Sequence, residues 1–135
     1  MFKLVRNKVP ELFERHHGYA PEEVEESQVT VESTRKWIVR SKLEEELGEF
    51  IEAAFDDNTD IDAIFEEAAD LYEAIIQMLR EVDGSSGYTG EKLGKAIRDK
   101  EAKYGTFTDF RFVRISEEEK EHYYNNIKGK VDNEY

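Results

Sequence analysis

Apolar residues recur at helical spacing in two stretches near the middle of the chain. In the first stretch, which predicts a helix over residues 33–55, they are Leu43, Leu47, Phe50, Ile51 and Ala54. In the second, which predicts a helix to about residue 82, they are Ile61, Ile64, Phe65, Ala68, Tyr72, Ile75, Ile76 and Leu79. The segment DDNTD separates the two, and Thr59 is the predicted N-cap of the second helix. Because this connection is short, the two helices are expected to pack antiparallel.

Shorter elements flank this pair. On the N-terminal side, a helix over residues 10–17 is expected to end at Gly18 and to be followed by a loop over residues 21–31. On the C-terminal side, a loop rich in Gly and Ser over residues 83–89 leads into a basic helix.

The rest of the chain is predicted from local signals. The basic helix begins at a Thr89 cap and ends before Gly105. Residues 106–114 are expected to be a short extended segment. Ser116 and Glu119 form a capping-box pattern that predicts a last helix to about residue 126, followed by a polar tail. The predicted fold class is therefore all-α, an antiparallel helical bundle.

Length and composition fit one soluble domain. A chain of 135 residues predicts a single domain over 1–135, with a polar C-terminal helix and tail after about residue 115. The net charge of −13 argues against a nucleic-acid partner and against an anionic membrane surface. Cysteine is absent and no run of 18 apolar residues occurs, so a cytoplasmic location is expected.

Most of the acid lies in the middle of the chain, where residues 21–91 carry 21 acidic and five basic side chains. On a helical wheel Glu46 lies about 60° from the apolar stripe centred on Leu43, which is too close to the core for a surface charge. No Lys or Arg follows Glu46 within a turn, so a metal ion is the predicted compensation for its burial.

Two pairs of acids share the same spacing. Glu46 and Glu49 on the first helix, and Glu67 and Asp70 on the second, are each three residues apart. Facing helices can bring these four carboxylates together, and oxygen ligands favour Mg²⁺ or Mn²⁺. The run EEELGEFIE also fits a solvated helix face, so the residues alone leave both interpretations open.

The motifs EExxE, from Glu45 to Glu49, and ExxD, from Glu67 to Asp70, resemble those of the MazG-like all-α nucleoside triphosphate pyrophosphohydrolases. The opening LVRNKVPE is similar to the LVRDKIPE start of one subgroup, with Asn7 in place of Asp. The segment KEAKYGTF is similar to a basic stretch in the same subgroup, so the resemblance covers roughly residues 2–110.

The resemblance implies a bundle of the MazG-like type, in which Glu46, Glu49, Glu67 and Asp70 bind Mg²⁺ and Glu45 either supports these ligands from behind or acts as the catalytic base. The implied reaction converts a nucleoside triphosphate to the monophosphate and pyrophosphate. Because carboxylates repel a triphosphate, cations must complete the site, and the candidates are Arg6, Lys8, Lys100 and Lys103.

Two alternative functions and a homo-oligomeric state are also predicted from the sequence. The enzymatic alternative is phosphoribosyl-ATP pyrophosphohydrolase, which shares the carboxylates but not the LVRNKVPE start. The other is a noncatalytic acidic helical interaction module. A thin helix pair buries little surface alone, so a homodimer or higher homo-oligomer is expected to complete the bundle.

Overall fold

The computed structural model describes residues 2–25, 32–84 and 87–134, and these residues are helical with no β-strand. The helices are α1 (Val9–His17), α2 (Glu32–Phe55), α3 (Ile61–Asp83), α4 (Thr89–Tyr104), α5 (Glu117–His122) and α6 (Lys128–Glu134), with a π-helical segment, Tyr123–Ile127, between the last two. The all-α prediction is confirmed at this level. Parts of the predicted loops, residues 26–31 and 85–86, lie outside the described residues.

The chain divides into two compact units, residues 1–89 and 90–135. The first contains the N-terminal segment and α1 to α3, and the second contains nearly all of α4 together with the remaining helices. The prediction of one domain over 1–135 stays a prediction.

Helices α2 and α3 form the antiparallel pair that the short connection predicts. At one end, Arg35 on α2 donates two hydrogen bonds to the Glu81 carboxylate on α3, at 3.1 and 2.8 Å. At the other end, Asp60 caps α3, because its side chain accepts a hydrogen bond from the Asp62 N–H. The predicted Thr59 cap is therefore wrong by one residue. A carboxylate at this position also complements the positive end of the helix dipole.

The core of the described chain is small. Its buried apolar residues are Val39, Ala74 and Ile76, and its buried polar residues are Glu46 and Thr89. Many large apolar side chains stay exposed on α2 and α3. No helix in the described ranges is long and apolar enough to cross a membrane.

In the second unit, α4 ends at Gly105, whose φ of 80° is readily adopted by glycine. Residues 105–116 have no regular structure beyond a turn in which the Phe110 N–H donates to the Phe107 carbonyl, at 3.0 Å. The predicted extended segment thus forms no strand. The capping box of Ser116 and Glu119 is confirmed.

The predicted polar tail is helical instead, which corrects the sequence prediction. Within α6 the Lys128 ammonium donates to Asp132, at 2.9 Å and a spacing of four residues. The Tyr104 hydroxyl also donates to Asp132. A pair at this spacing supports a helix without any apolar stripe, so hydrophobic periodicity could not reveal this element.

Candidate metal centre

Carboxylates from α2 and α3 converge near the middle of the helix pair. Glu46, Glu67 and Asp70 each offer one oxygen, and these oxygens lie within 4.8 Å of one another. Glu45, Glu46 and Glu49 meet the same condition. Since Glu46 belongs to both groups, it links them into one set of five acids, here called the carboxylate cluster. The structure therefore brings together the five acids that were predicted from the sequence.

Glu46 is the most deeply placed member of this cluster, with 3% of its surface exposed. The helical-wheel prediction that it edges into the core is confirmed. One of its oxygens, Oε2, is buried and has no hydrogen-bond partner among the described residues, and the same is true of Glu67 Oε2. Buried polar atoms nearly always have a partner, so two orphaned oxygens on neighbouring helices mark a place where a cation fits.

The other oxygen of Glu46 has a partner that the sequence analysis overlooked. Lys42, one turn earlier on α2, places its Nζ 2.6 Å from Glu46 Oε1. No Lys or Arg follows Glu46 within a turn, but Lys42 precedes it by four residues, and side chains at this spacing pair in either direction along a helix. Lys42 therefore compensates part of the charge and leaves Oε2 without compensation.

Two neighbouring glutamates of the cluster have pKa values shifted in opposite directions. Desolvation raises the pKa of Glu49, and repulsion from the Glu46 carboxylate adds to this shift. A hydrogen bond from Lys3 lowers the pKa of Glu45, and the charge of Lys42 lowers it further. Lys3 Nζ lies 3.0 Å from Glu45 Oε1. The anionic form of Glu45 is thus stabilised, whereas the anionic form of Glu49 is disfavoured by burial and by nearby negative charges.

Arg6 lies against the carboxylate cluster from the N-terminal side. Its guanidinium donates hydrogen bonds to Asp70 and to Glu73, the latter at 2.7 Å. Both partners are on α3, three residues apart, so one planar guanidinium reaches both. The sequence analysis predicted Arg6 as a phosphate ligand; here its partners are carboxylates.

The remaining predicted cations lie in other places. Lys8 is exposed and immediately precedes α1. On α4, in the second unit, Lys100 Nζ lies 5.8 Å from the ring centroid of Tyr104, and Lys103 Nζ lies 3.9 Å from Asp132 Oδ1. The roles of these three lysines in substrate binding stay predictions.

Sequence reasoning missed two basic partners of the carboxylate cluster, Lys3 and Lys42, and it missed Glu73, which is the second partner of Arg6. Lys42 was detectable from its spacing to Glu46, and Glu73 from its spacing to Asp70. Lys3 was not, because its contact with Glu45 joins residues 42 positions apart through a segment without regular structure.

The cluster suits a hard divalent cation. All its donors are carboxylate oxygens, which Mg²⁺ and Mn²⁺ prefer, and two of these oxygens are buried without partners. Comparison with protein-family models, with curated proteins and with solved structures found no match for this chain.

Proposed function

We propose that this protein is a Mg²⁺-dependent nucleotide pyrophosphohydrolase, which converts a nucleoside triphosphate to the monophosphate and pyrophosphate, with Mn²⁺ able to replace Mg²⁺. The observation that carries the proposal is the pair of buried, unpartnered oxygens of Glu46 and Glu67 within a group of converging carboxylates. The resemblance of both acidic motifs and of the LVRNKVPE start to MazG-like enzymes supports the same reaction.

The acids of the carboxylate cluster have two proposed roles, cation binding and proton acceptance. Glu46, Glu49, Glu67 and Asp70 are the proposed ligands, which hold the cation between the two helices. When bound, the cation neutralises phosphate charge and lowers the pKa of a coordinated water. Glu45 borders the ligands and is the proposed acceptor of the proton of the attacking water. Lys3 keeps it ionised, but the lowered pKa also makes it a weaker base than an unpaired glutamate.

The basic side chains have a separate proposed role, which is to bind the phosphates of the substrate. A triphosphate approaching a group of carboxylates is repelled unless positive side chains line its path. Arg6 is placed beside Asp70 and is the first proposed phosphate contact in this unit. Lys8, Lys100 and Lys103 stay further phosphate contacts that are predicted from the sequence alone.

The test is a panel of nucleoside triphosphates, with phosphoribosyl-ATP included, incubated with Mg²⁺ and assayed for released pyrophosphate. Pyrophosphate and a monophosphate are the expected products. Preference for phosphoribosyl-ATP would favour the enzymatic alternative. Orthophosphate as the direct product, or no turnover of any nucleotide with either Mg²⁺ or Mn²⁺, would contradict the proposal.

We further propose that a second copy of the chain covers the exposed apolar face of the α2–α3 pair. This apolar face consists of Leu47, Ile51, Ile61, Phe65, Tyr72 and Ile75, all of which are exposed. When each helix is viewed along its own axis from its N-terminus, these residues lie on the same rotational side of the line where α2 and α3 touch. Because the helices are antiparallel, the residues fall on one side of the pair, opposite the carboxylate cluster.

The exposure of these side chains also favours a partner, since a contiguous exposed apolar patch on a protein surface commonly marks an interaction site. Two such apolar faces related by a twofold axis are self-complementary, and their stacking would give a four-helix bundle.

Replacing Phe65 by Asp is expected to weaken the dimer at least about ten-fold, because Phe65 is 70% exposed and belongs to the apolar face, where a charge would be buried by the partner. Analytical ultracentrifugation across a concentration series measures this. The matched control is Phe107→Asp, since Phe107 is 100% exposed but lies in the second unit. A monomeric wild type, or equal effects of the two variants, would contradict the proposed interface.

A further inference from the structure

The N-terminal segment, residues 2–6, crosses the carboxylate side of the helix pair. Lys3 reaches α2 through Glu45, at 3.0 Å, and Arg6 reaches α3 through Asp70 and Glu73. Three residues of extended chain span about 10 Å, which matches the 8–10 Å between the axes of packed helices. One short segment thus places one cation on each helix of the carboxylate cluster.

These contacts use the same carboxylates that the proposed cation requires. Asp70 is one of the three acids whose oxygens lie within 4.8 Å of one another, and Arg6 already neutralises it. Arg6 and Asp70 are both partly exposed, at 55% and 35% of their side-chain area, so this ion pair can exchange with a dissolved ion. The buried Glu46 Oε2 and Glu67 Oε2 have no such substitute among the described residues.

We propose that Arg6 is an exchangeable counterion, which holds Asp70 until a divalent cation displaces it and is then kept nearby by Glu73. The Glu73 contact, at 2.7 Å, involves a carboxylate outside the carboxylate cluster, so it survives the exchange. Glu73 is one turn beyond Asp70 on α3, and the released guanidinium therefore remains next to the bound cation. Binding of the cation therefore also frees the Arg6 guanidinium from Asp70, and the guanidinium can then bind a phosphate.

This inference rests on the metal site of the proposed function, and it concerns cation binding in the absence of nucleotide. The test measures the Kd of Mn²⁺ for the full-length protein, from the electron paramagnetic resonance signal of free Mn²⁺. In Arg6→Gln, the Kd is expected to fall about two- to five-fold, because the competing ion pair is lost. Arg6→Lys, which keeps the charge but cannot bridge two carboxylates, is expected to give an intermediate Kd.

The matched control is Arg40→Gln. Arg40 has the same side-chain exposure as Arg6, 55%, and is also paired with a glutamate, Glu44, at 2.9 Å, but it does not contact the carboxylate cluster. Its loss changes the net charge equally and is expected to shift the Kd by less than about 1.5-fold, because solvent screens the distant charge.

The outcomes separate the inference from the proposed function. An unchanged or higher Kd in Arg6→Gln, or an equal decrease in Arg40→Gln, would overturn the exchange. No binding of Mn²⁺ to any variant would overturn the exchange and the metal site together. Competition observed for Mn²⁺ without any release of pyrophosphate from nucleotides would support the exchange and contradict only the proposed reaction.

Discussion

Replacing Glu46 by Gln is expected to lower kcat/KM for pyrophosphate release by about 10³-fold, because the cluster loses the buried charge that the other acids surround. Gln is isosteric with Glu, and its amide oxygen can still accept a hydrogen bond from Lys42. Its amide nitrogen adds a donor among the remaining carboxylates, so the thermal unfolding temperature of the variant is expected to stay close to that of the wild type. The loss should therefore appear in activity and in Mn²⁺ affinity, with little effect on the fold.

The matched control for this variant is Glu52→Gln. Glu52 lies on the same helix, is exposed, and is outside the carboxylate cluster. Both variants remove one negative charge, so an acidic interaction surface, the noncatalytic alternative, would respond to them equally. A metal site would respond only to Glu46→Gln. Equal effects of the two variants, or full activity of Glu46→Gln, would contradict the assignment of Glu46 as a ligand.

The sequence predicted the elements whose signal is local or periodic. The bounds of α2 and α3 follow from apolar residues at helical spacing, and the capping box at Ser116 follows from a four-residue pattern. Burial of Glu46 followed from its angle to the apolar stripe, which is set by helix geometry alone.

Contacts that join distant parts of the chain could not be predicted in the same way. The contact of Lys3 with Glu45 and that of Arg6 with Asp70 depend on the path of an irregular segment, and no residue spacing encodes that path. Helix α6 was missed because ion pairing rather than apolar periodicity supports it. The orphaned oxygens of Glu46 and Glu67 are likewise a property of packing and not of residue type.

The Lys42–Glu46 pair is less exposed than the pairs Arg40–Glu44, Lys95–Asp99 and Lys128–Asp132, which have the same spacing. The two side chains are 22% and 5% exposed, and their charged atoms lie 2.6 Å apart. Burial lowers the pKa of Lys42, but the hydrogen bonds and charges of Glu46 and Glu45 together outweigh this effect and leave the pKa raised. Lys42 is thus a firmly held cation that supports the buried carboxylate.

In Lys42→Met, the free energy of unfolding measured in EDTA is expected to fall by about 2 to 3 kcal/mol, because Glu46 is left as a buried charge without a partner. For a chain of this length the unfolding temperature falls by about 10 °C. Addition of Mg²⁺ is expected to restore most of this loss, since the cation replaces Lys42 as the compensating charge and binds only the folded state. Calorimetry or circular dichroism melts with EDTA and with Mg²⁺ measure both effects.

The control is Lys95→Met. The Lys95–Asp99 pair has the same residue spacing and the same charge-to-charge distance as the Lys42–Glu46 pair, but it is exposed. Lys95 and Asp99 are also four residues apart with charged atoms 2.6 Å apart, and their side chains are 72% and 52% exposed. Because solvent screens such a pair, its removal is expected to change the unfolding temperature little in EDTA. Mg²⁺ is expected to raise the unfolding temperature of Lys95→Met only as much as it raises that of the wild type, because the carboxylate cluster is intact in both. If Lys42→Met and Lys95→Met lose the same free energy of unfolding in EDTA, the burial of an unpaired Glu46 carboxylate does not destabilise the fold as expected. If Mg²⁺ fails to rescue Lys42→Met, the cation does not bind at Glu46, and the metal centre must be rejected even though its carboxylates converge.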